Sequence, residues 1–211
     1  MRIECDFSEL LAPRSFYFRP ELVENPNVIP SATGVYAWYV RTTSLPASEA
    51  TKHYCGDWSL VNIGKSRVGK TMGLRRRIQA HCTRDAGHSG SFRLLLGKML
   101  ECPLSLRLLH QRHPELLVKQ HSRHRDLWPE GETRLDTWLD ANAAITWIIS
   151  DSESAIERDL IRRYSPVCNS EGSALWDVLM KQATAFGVSR HTLRWGTKLD
   201  DAPKTALEEL P

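Results

Sequence analysis

The chain has 211 residues, 41% hydrophobic and 25% charged, with 28 Lys and Arg against 25 Asp and Glu, for a formal net charge of +3. That is long enough to bury a core without cross-links, and the composition excludes a disordered chain. No apolar run reaches the about 18 residues of a membrane span, and the acidic start MRIECDFSELLAP lacks a secretory apolar stretch. Five scattered cysteines, odd in number and without a CxxC pair, argue against a disulfide framework or a thiolate zinc site and point to the reducing cytoplasm.

Residues 1–33 carry Pro13, Pro20, Pro26 and Pro30 and read as an irregular lead-in. Residues 34–41, GVYAWYVR, are aromatic and β-branched, as a strand requires. Residues 42–57 are rich in turn formers and read as a loop. Residues 58–63, WSLVNI, read as a second strand, so the two predict a hairpin with a long connection. Residues 64–73 read as a Gly- and Lys-rich loop, and the spacing predicts helices over 74–84 and 92–100. Residues 104–128 are basic and His-rich with apolar residues at helical spacing. Residues 129–134, PEGETR, break the chain. Residues 144–150, AITWIIS, read as a buried strand. Asp151 or Ser152 then caps a helix carrying SAIERDLIRRY, which Pro166 stops. Residues 173–186 predict an amphipathic helix, and the last dozen residues read as loose.

This order predicts an α/β (α+β) fold, a small mixed or antiparallel-containing sheet flanked by helices. It divides the chain into a lead-in over 1–30, one domain over 31–170 with a basic helical insertion over about 90–128, and a helical C-terminal extension over 171–211. Charge is segregated within it. Residues 65–125 hold 14 Lys or Arg and three Asp or Glu, and the remainder is acidic. Such a stretch suits a polyanionic partner, although a solvated face balanced by acidic flanks accounts for it equally well.

Small features fall in one order: Gly34-Val35-Tyr36, Asn62-Ile63-Gly64, Arg77 with His81, Glu157, then Pro166 to Asn169. Phosphodiester hydrolysis needs charge neutralisation at phosphate, a group to activate water and a cation for developing charge. A helical carboxylate such as Glu157 is a hard ligand suited to Mg²⁺. Arg77 and His81, four apart, project from one helix face, with Leu74 and Ile78 as its buried stripe. Each feature has a plainer account. Glu157 could be a surface carboxylate paired with an arginine. Arg75, Arg76 and Arg77 could be one exposed basic run. Tyr36 could be a core strand tyrosine on the same face as Trp38.

In this order the motifs resemble the GIY-YIG nuclease family over roughly residues 31–170. The resemblance implies a metal-dependent DNA endonuclease, restriction-like or repair-associated. It implies that Glu157 ligates Mg²⁺ or Mn²⁺ and that Tyr36 orients or deprotonates water. Arg77 would bind the scissile phosphate, with Arg75 or Arg76 as alternatives in register. His81 would contact the water or a phosphate oxygen, and Asn169 would brace the metal helix. Gly34 and Gly64 suit close backbone approach. One position departs from the family: Asn62 stands where a second tyrosine is normal. An amide hydrogen-bonds but does not exchange protons usefully, so Asn62 supplies a weaker bond in the catalytic set. A catalytically degenerate nucleic-acid-binding protein is the alternative. Lys65, Lys70, Arg75, Arg76, Arg107, Arg112, Lys119, Arg123 and Arg125 are the expected contacts to a DNA or RNA backbone, so binding should weaken steeply with salt. No membrane is implied, and a palindrome cutter with one site per chain would need a homodimer.

Three other patterns compete. Residues 64–71, GKSRVGKT, match the phosphate-cradling GxxxxGKT between a strand and a helix, which would make a small NTP-binding protein. Against it, no train of alternating βα units follows. His110 with His113 and His121 with His124 have zinc-chelating spacing but no cysteine or carboxylate at a partner offset. Residues 186–193, FGVSRHTL, resemble the turn and recognition-helix start of a helix-turn-helix, against a plain helical extension packed on the core.

Overall fold

The computed structural model describes residues 7–46, 52–66, 73–83, 92–106, 131–170 and 174–185. Lys70, both HxxH pairs, Arg107, Arg112, Lys119, Arg123, Arg125 and the 186–193 pattern lie outside them.

Strands β1 (Tyr17–Phe18), β2 (Gly34–Arg41), β3 (Tyr54–Cys55), β4 (Trp58–Ser66) and β5 (Ala143–Ile149) form one sheet in the order β1-β5-β2-β4-β3. Every neighbouring pair is antiparallel. The helices are α1 (Ser8–Leu11), α2 (Arg19–Glu24), α3 (Gly73–Cys82), α4 (Phe92–Met99), α5 (Glu132–Asn142), α6 (Glu153–Tyr164) and α7 (Ala174–Ala185). The expected class, an α/β (α+β) fold with a small mixed or antiparallel-containing sheet flanked by helices, is what the chain adopts, and the sheet is antiparallel at each pairing.

Strand β2 is the axis of the fold, and its bounds are those read from the sequence. Its residues are buried from Gly34 to Val40 because both faces are covered, which is why it reads as a continuous apolar run. Tyr36, Trp38 and Val40 face one core with Leu74 and Ile78 of α3, Leu95 of α4, Leu135 of α5 and Trp176 of α7. Val35, Ala37 and Tyr39 face the other, with Leu10 of α1 and Ile156 and Leu160 of α6. Each large apolar side chain buried this way contributes about 1.5–3 kcal/mol. Tyr36 and Trp38 share a face as expected, and Trp38 stacks on Phe92 with ring centroids 4.8 Å apart.

The structure differs from the sequence reading in four places. The lead-in is not irregular: it supplies α1, α2 and edge strand β1, and Leu10, Leu22 and Ile29 are fully buried. Within the loop expected over 42–57, β3 pairs with the start of β4. Residues 129 and 130 lie outside the described residues, and the break expected over 129–134 does not extend past Gly131, since α5 starts at Glu132. Its polar residues Glu132 and Asp136 are buried against Arg93 rather than solvated, at 2.5 and 2.8 Å from Nη2.

The fourth difference removes a competing function. Residues 64–66 are strand rather than loop, with Gly64 paired to Tyr36, Lys65 to Val35 and Ser66 to Gly34. A phosphate loop must turn away after a parallel strand so that its N–H groups converge on the ligand. Here the first three residues of GxxxxGKT extend an antiparallel strand, and residues 67–71 lie outside the described residues. The NTP-binding alternative is therefore set aside.

Candidate active site

The predicted residues gather at the Gly64–Lys65 end of β4, from both sides of the sheet. Helix α3 lies on the Tyr36 face through Leu74 and Ile78, and α6 lies on the opposite face through Ile156 and Leu160. Arg77 and His81 come from the first, Glu157 from the second. In pairing with β2, strand β4 skips Val61, and this bulge keeps Asn62 and Gly64 opposite Trp38 and Tyr36.

Gly64 is where the site needs a missing side chain. A Cβ there would lie 2.2 Å from Tyr36 Oη and 2.3 Å from Cζ. The phenol ring therefore lies flat across the strand at this residue. At Gly34 a Cβ would meet the Ile148 carbonyl oxygen at 2.2 Å, because β5 runs close alongside. Neither position has room for a Cβ, at Gly34 because of a neighbouring backbone and at Gly64 because of the Tyr36 side chain.

Laid across Gly64, Tyr36 Oη meets two partners on α3. Arg77 Nε donates to it at 3.3 Å, and His81 Nε2 lies 2.8 Å away. Arginine only donates, so Arg77 uses a phenol lone pair. With the imidazole proton on Nδ1, His81 Nε2 accepts the phenol's own proton. Nδ1 finds no partner among the described residues, at a desolvation cost of about 1–3 kcal/mol. Burial, then the nearby Arg77 and Arg93 charges, hold the His81 pKa well below the ordinary value. Burial pushes the Tyr36 pKa up, Arg77 opposes that shift, and Glu157 adds to it, so the carboxylate is within electrostatic reach of the phenol. Both rings start neutral.

His81 sits differently from expectation. It was expected to touch water or phosphate, yet it is 1% exposed and packed edge-on against Phe92 and Trp38. It acts on Tyr36, not outward. Its backbone is held as well: Arg93 Nη1 donates to the His81 carbonyl at 3.2 Å. Arg93 belongs to the basic stretch of the sequence but is only 2% exposed and faces inward. Arg75 also turns back, donating Nε to the Ile29 carbonyl at 2.8 Å. Among the three consecutive arginines, Arg77 is the one that reaches Tyr36, as the spacing favoured.

Helix α6 starts after Ser152, whose carbonyl accepts the N–H groups of Ala155 and Ile156. It ends at Ser165 in the left-handed region, just before Pro166. Glu157 lies one turn in, and its Oε2 is 2.7 Å from Lys65 Nζ. No cluster of three or more His, Cys, Asp or Glu fit to hold a metal lies among the described residues. A cation at Glu157 would thus have one protein carboxylate and take its other ligands from water and substrate, which is how Mg²⁺ is commonly held. The donor set fits, since this oxygen already faces a positive group.

Asn62 and Asn169 do related work beyond the helix. Asn62 Nδ2 donates to the Cys168 carbonyl at 2.9 Å. Asn169 Oδ1 accepts the Ile63 N–H at 2.9 Å while its Nδ2 donates to the Ile63 carbonyl at 2.7 Å. Cys168 N–H meets the Val61 carbonyl at 2.8 Å. The segment after α6 is thereby stitched to β4, with Asn169 bonded to Ile63 of the strand rather than to the helix itself. Asn62 is a part of that stitching instead of a partner of Tyr36, Arg77 or Glu157. Sequence spacing missed the Lys65–Glu157 pair and the Arg93 contact, because both join elements distant in the chain and neither follows a local period.

No helix among the described residues is long and apolar enough to cross a membrane. Comparison with known families gives a match to the GIY-YIG catalytic domain over residues 34–177. Curated proteins and solved structures give no match.

Proposed function

The chain belongs to the GIY-YIG catalytic-domain family, a family of nucleases, and on that premise we propose that it is a metal-dependent endonuclease hydrolysing phosphodiester bonds in DNA. The observation that carries the reading is the hydrogen-bonded run Arg77–Tyr36–His81, set beside Glu157 at the end of β4.

In this reading Tyr36 and His81 form a proton relay. Tyr36 Oη takes a proton from the attacking water while its own proton passes to His81 Nε2. No free phenolate need form, which matters because a phenol of pKa about 10 is almost wholly protonated at neutral pH and burial makes its phenolate scarcer still. A neutral His81 has its Nε2 lone pair available, while burial and the Arg77 and Arg93 charges disfavour the imidazolium, so the proton rests there only in passing. Arg77 offsets the negative charge gathering on Oη, and its planar fork is suited to a phosphate. Glu157 would hold Mg²⁺ or Mn²⁺, which when bound neutralises phosphate charge and acidifies water. Lys65 and Arg76 would add backbone contacts, so affinity should fall steeply with salt.

Nicking of supercoiled plasmid with Mg²⁺ or Mn²⁺ tests the reading. Wild type should cut, and Glu157→Ala should bind DNA without cutting. Cutting that survives Glu157→Ala would sink the role given to this carboxylate. A second reading, a family member that binds nucleic acid without cutting, is favoured by Asn62, whose amide is engaged with Cys168 and offers no exchangeable acid or base. DNA binding by wild type without cleavage under either metal would select it.

A further inference from the structure

We propose that Lys65 is the internal counter-cation of the Glu157 site: its ammonium holds the carboxylate until a divalent ion takes that oxygen, and then passes to a substrate phosphate. Metal binding and backbone binding would thereby strengthen one another. This rests on the reading of Glu157 as the metal ligand.

Lys65 Nζ and Glu157 Oε2 are 2.7 Å apart, with the two side chains 35% and 19% exposed. Neither has another hydrogen-bond or ion-pair partner among the described residues. Mg²⁺ would sit about 2.0–2.1 Å from a carboxylate oxygen, and at Oε2 that would crowd two further positive charges against the ammonium. One of the two cations must yield, and the dication binds the more strongly. Lys65 cannot leave the site, since its backbone is pinned in β4 opposite Val35. Its four-carbon stem can only swing. Gly64, over which Tyr36 lies, is the next residue, so the displaced ammonium stays within reach of any phosphate presented to Tyr36 and Arg77. Thermodynamic linkage makes the effect mutual: if metal frees Lys65 for phosphate, phosphate favours metal.

The test uses the full chain and two readouts other than turnover. First, Mn²⁺ is titrated by calorimetry into wild type and Lys65→Met without DNA. Losing a competing exposed ion pair should tighten Mn²⁺ about threefold in the variant. Second, duplex DNA affinity is followed by fluorescence anisotropy against NaCl, in EDTA and in Ca²⁺ as a non-cleaving ion. Ca²⁺ should steepen the slope of log K against log salt by about 0.9 more in wild type than in Lys65→Met, the equivalent of one phosphate contact. Equal Mn²⁺ affinities, or an equal effect of Ca²⁺ on the two slopes, overturns the inference while leaving Glu157 as the ligand. Failure of both folded proteins to bind Mn²⁺ overturns the Glu157 reading and this inference with it. Lys65→Gln, which is polar but uncharged and one atom shorter than lysine, should behave as Lys65→Met.

Discussion

Replacing Gly64 by alanine probes the site with a single methyl group. The added carbon would lie 2.2 Å from Tyr36 Oη, 2.3 Å from Cζ and 2.8 Å from Cε2, where carbon contacts are comfortable at about 3.5–4.0 Å. Something must move by more than about 1 Å. The strand cannot, since Gly64 is paired to Tyr36 in the ladder. The phenol is 1% exposed and held by Arg77 and His81, so it must break those bonds to yield. Overpacking of this kind costs about 1–3 kcal/mol, and a 2 kcal/mol loss lowers Tm by roughly 4–8 °C for a chain this long. Displacement of a reacting group by about 1 Å costs on the order of 10²-fold in rate. Urea denaturation should therefore register a modest loss and plasmid nicking a large one. In a Tyr36→Ala background the alanine at 64 should no longer destabilise, because the atoms it strikes are gone. A Gly64→Ala protein with unchanged stability and nicking would refute the packing of Tyr36 across β4.

Two further outcomes follow from the buried groups. His81 has a folded pKa well below the ordinary 6.5, so the unfolded chain binds its proton first as pH falls. Stability is full above about pH 6.5 and declines below it, by at most about 1.4 kcal/mol per pH unit from this one group, until the folded imidazole also protonates. Urea denaturation between pH 5 and 7 should show a slope in wild type that is smaller in His81→Gln; equal slopes would contradict the burial of a neutral imidazole. Arg93→Met removes the 2.5 Å partner of Glu132 and the 2.8 Å partner of Asp136, which should cost about 3–5 kcal/mol in chemical denaturation. Adding Glu132→Gln should recover part of that loss, and failure to recover would mean that the charge pair is not what Arg93 contributes.

Where a stretch repeats a simple pattern, the sequence was readable. The apolar run of β2, the strand read over 144–150 and found over Ala143–Ile149, and the helix that ends before Pro166 each follow one local rule, although Ser152 makes no side-chain cap to that helix. Helix α5 was missed because Glu132 and Asp136, polar residues that ordinarily mark a solvated face, are turned inward to Arg93. Two-residue strands such as β1 and β3 carry no period to detect. The Gly-Lys-Ser of residues 64–66 misled because loop composition was overridden by pairing with β2. At the site, Arg77 and Glu157 were found through spacing and resemblance. His81 was located, but its inward direction depends on Trp38 and Phe92, and Asn62 turned away because Cys168, 106 residues on, presents a carbonyl to it.

The Asn169 amide also has a bearing on how this chain lives among its own copies. Beyond its short pairing with β3, strand β4 is an outer strand, and an outer strand presents donors and acceptors to any extended segment that drifts past. At Ile63 both groups are already taken by one side-chain amide, which imitates the backbone of a missing neighbour. The Val61 carbonyl is likewise taken by Cys168. The amide that ties the segment after α6 to the strand therefore also blocks edge-to-edge pairing of β4 at Ile63.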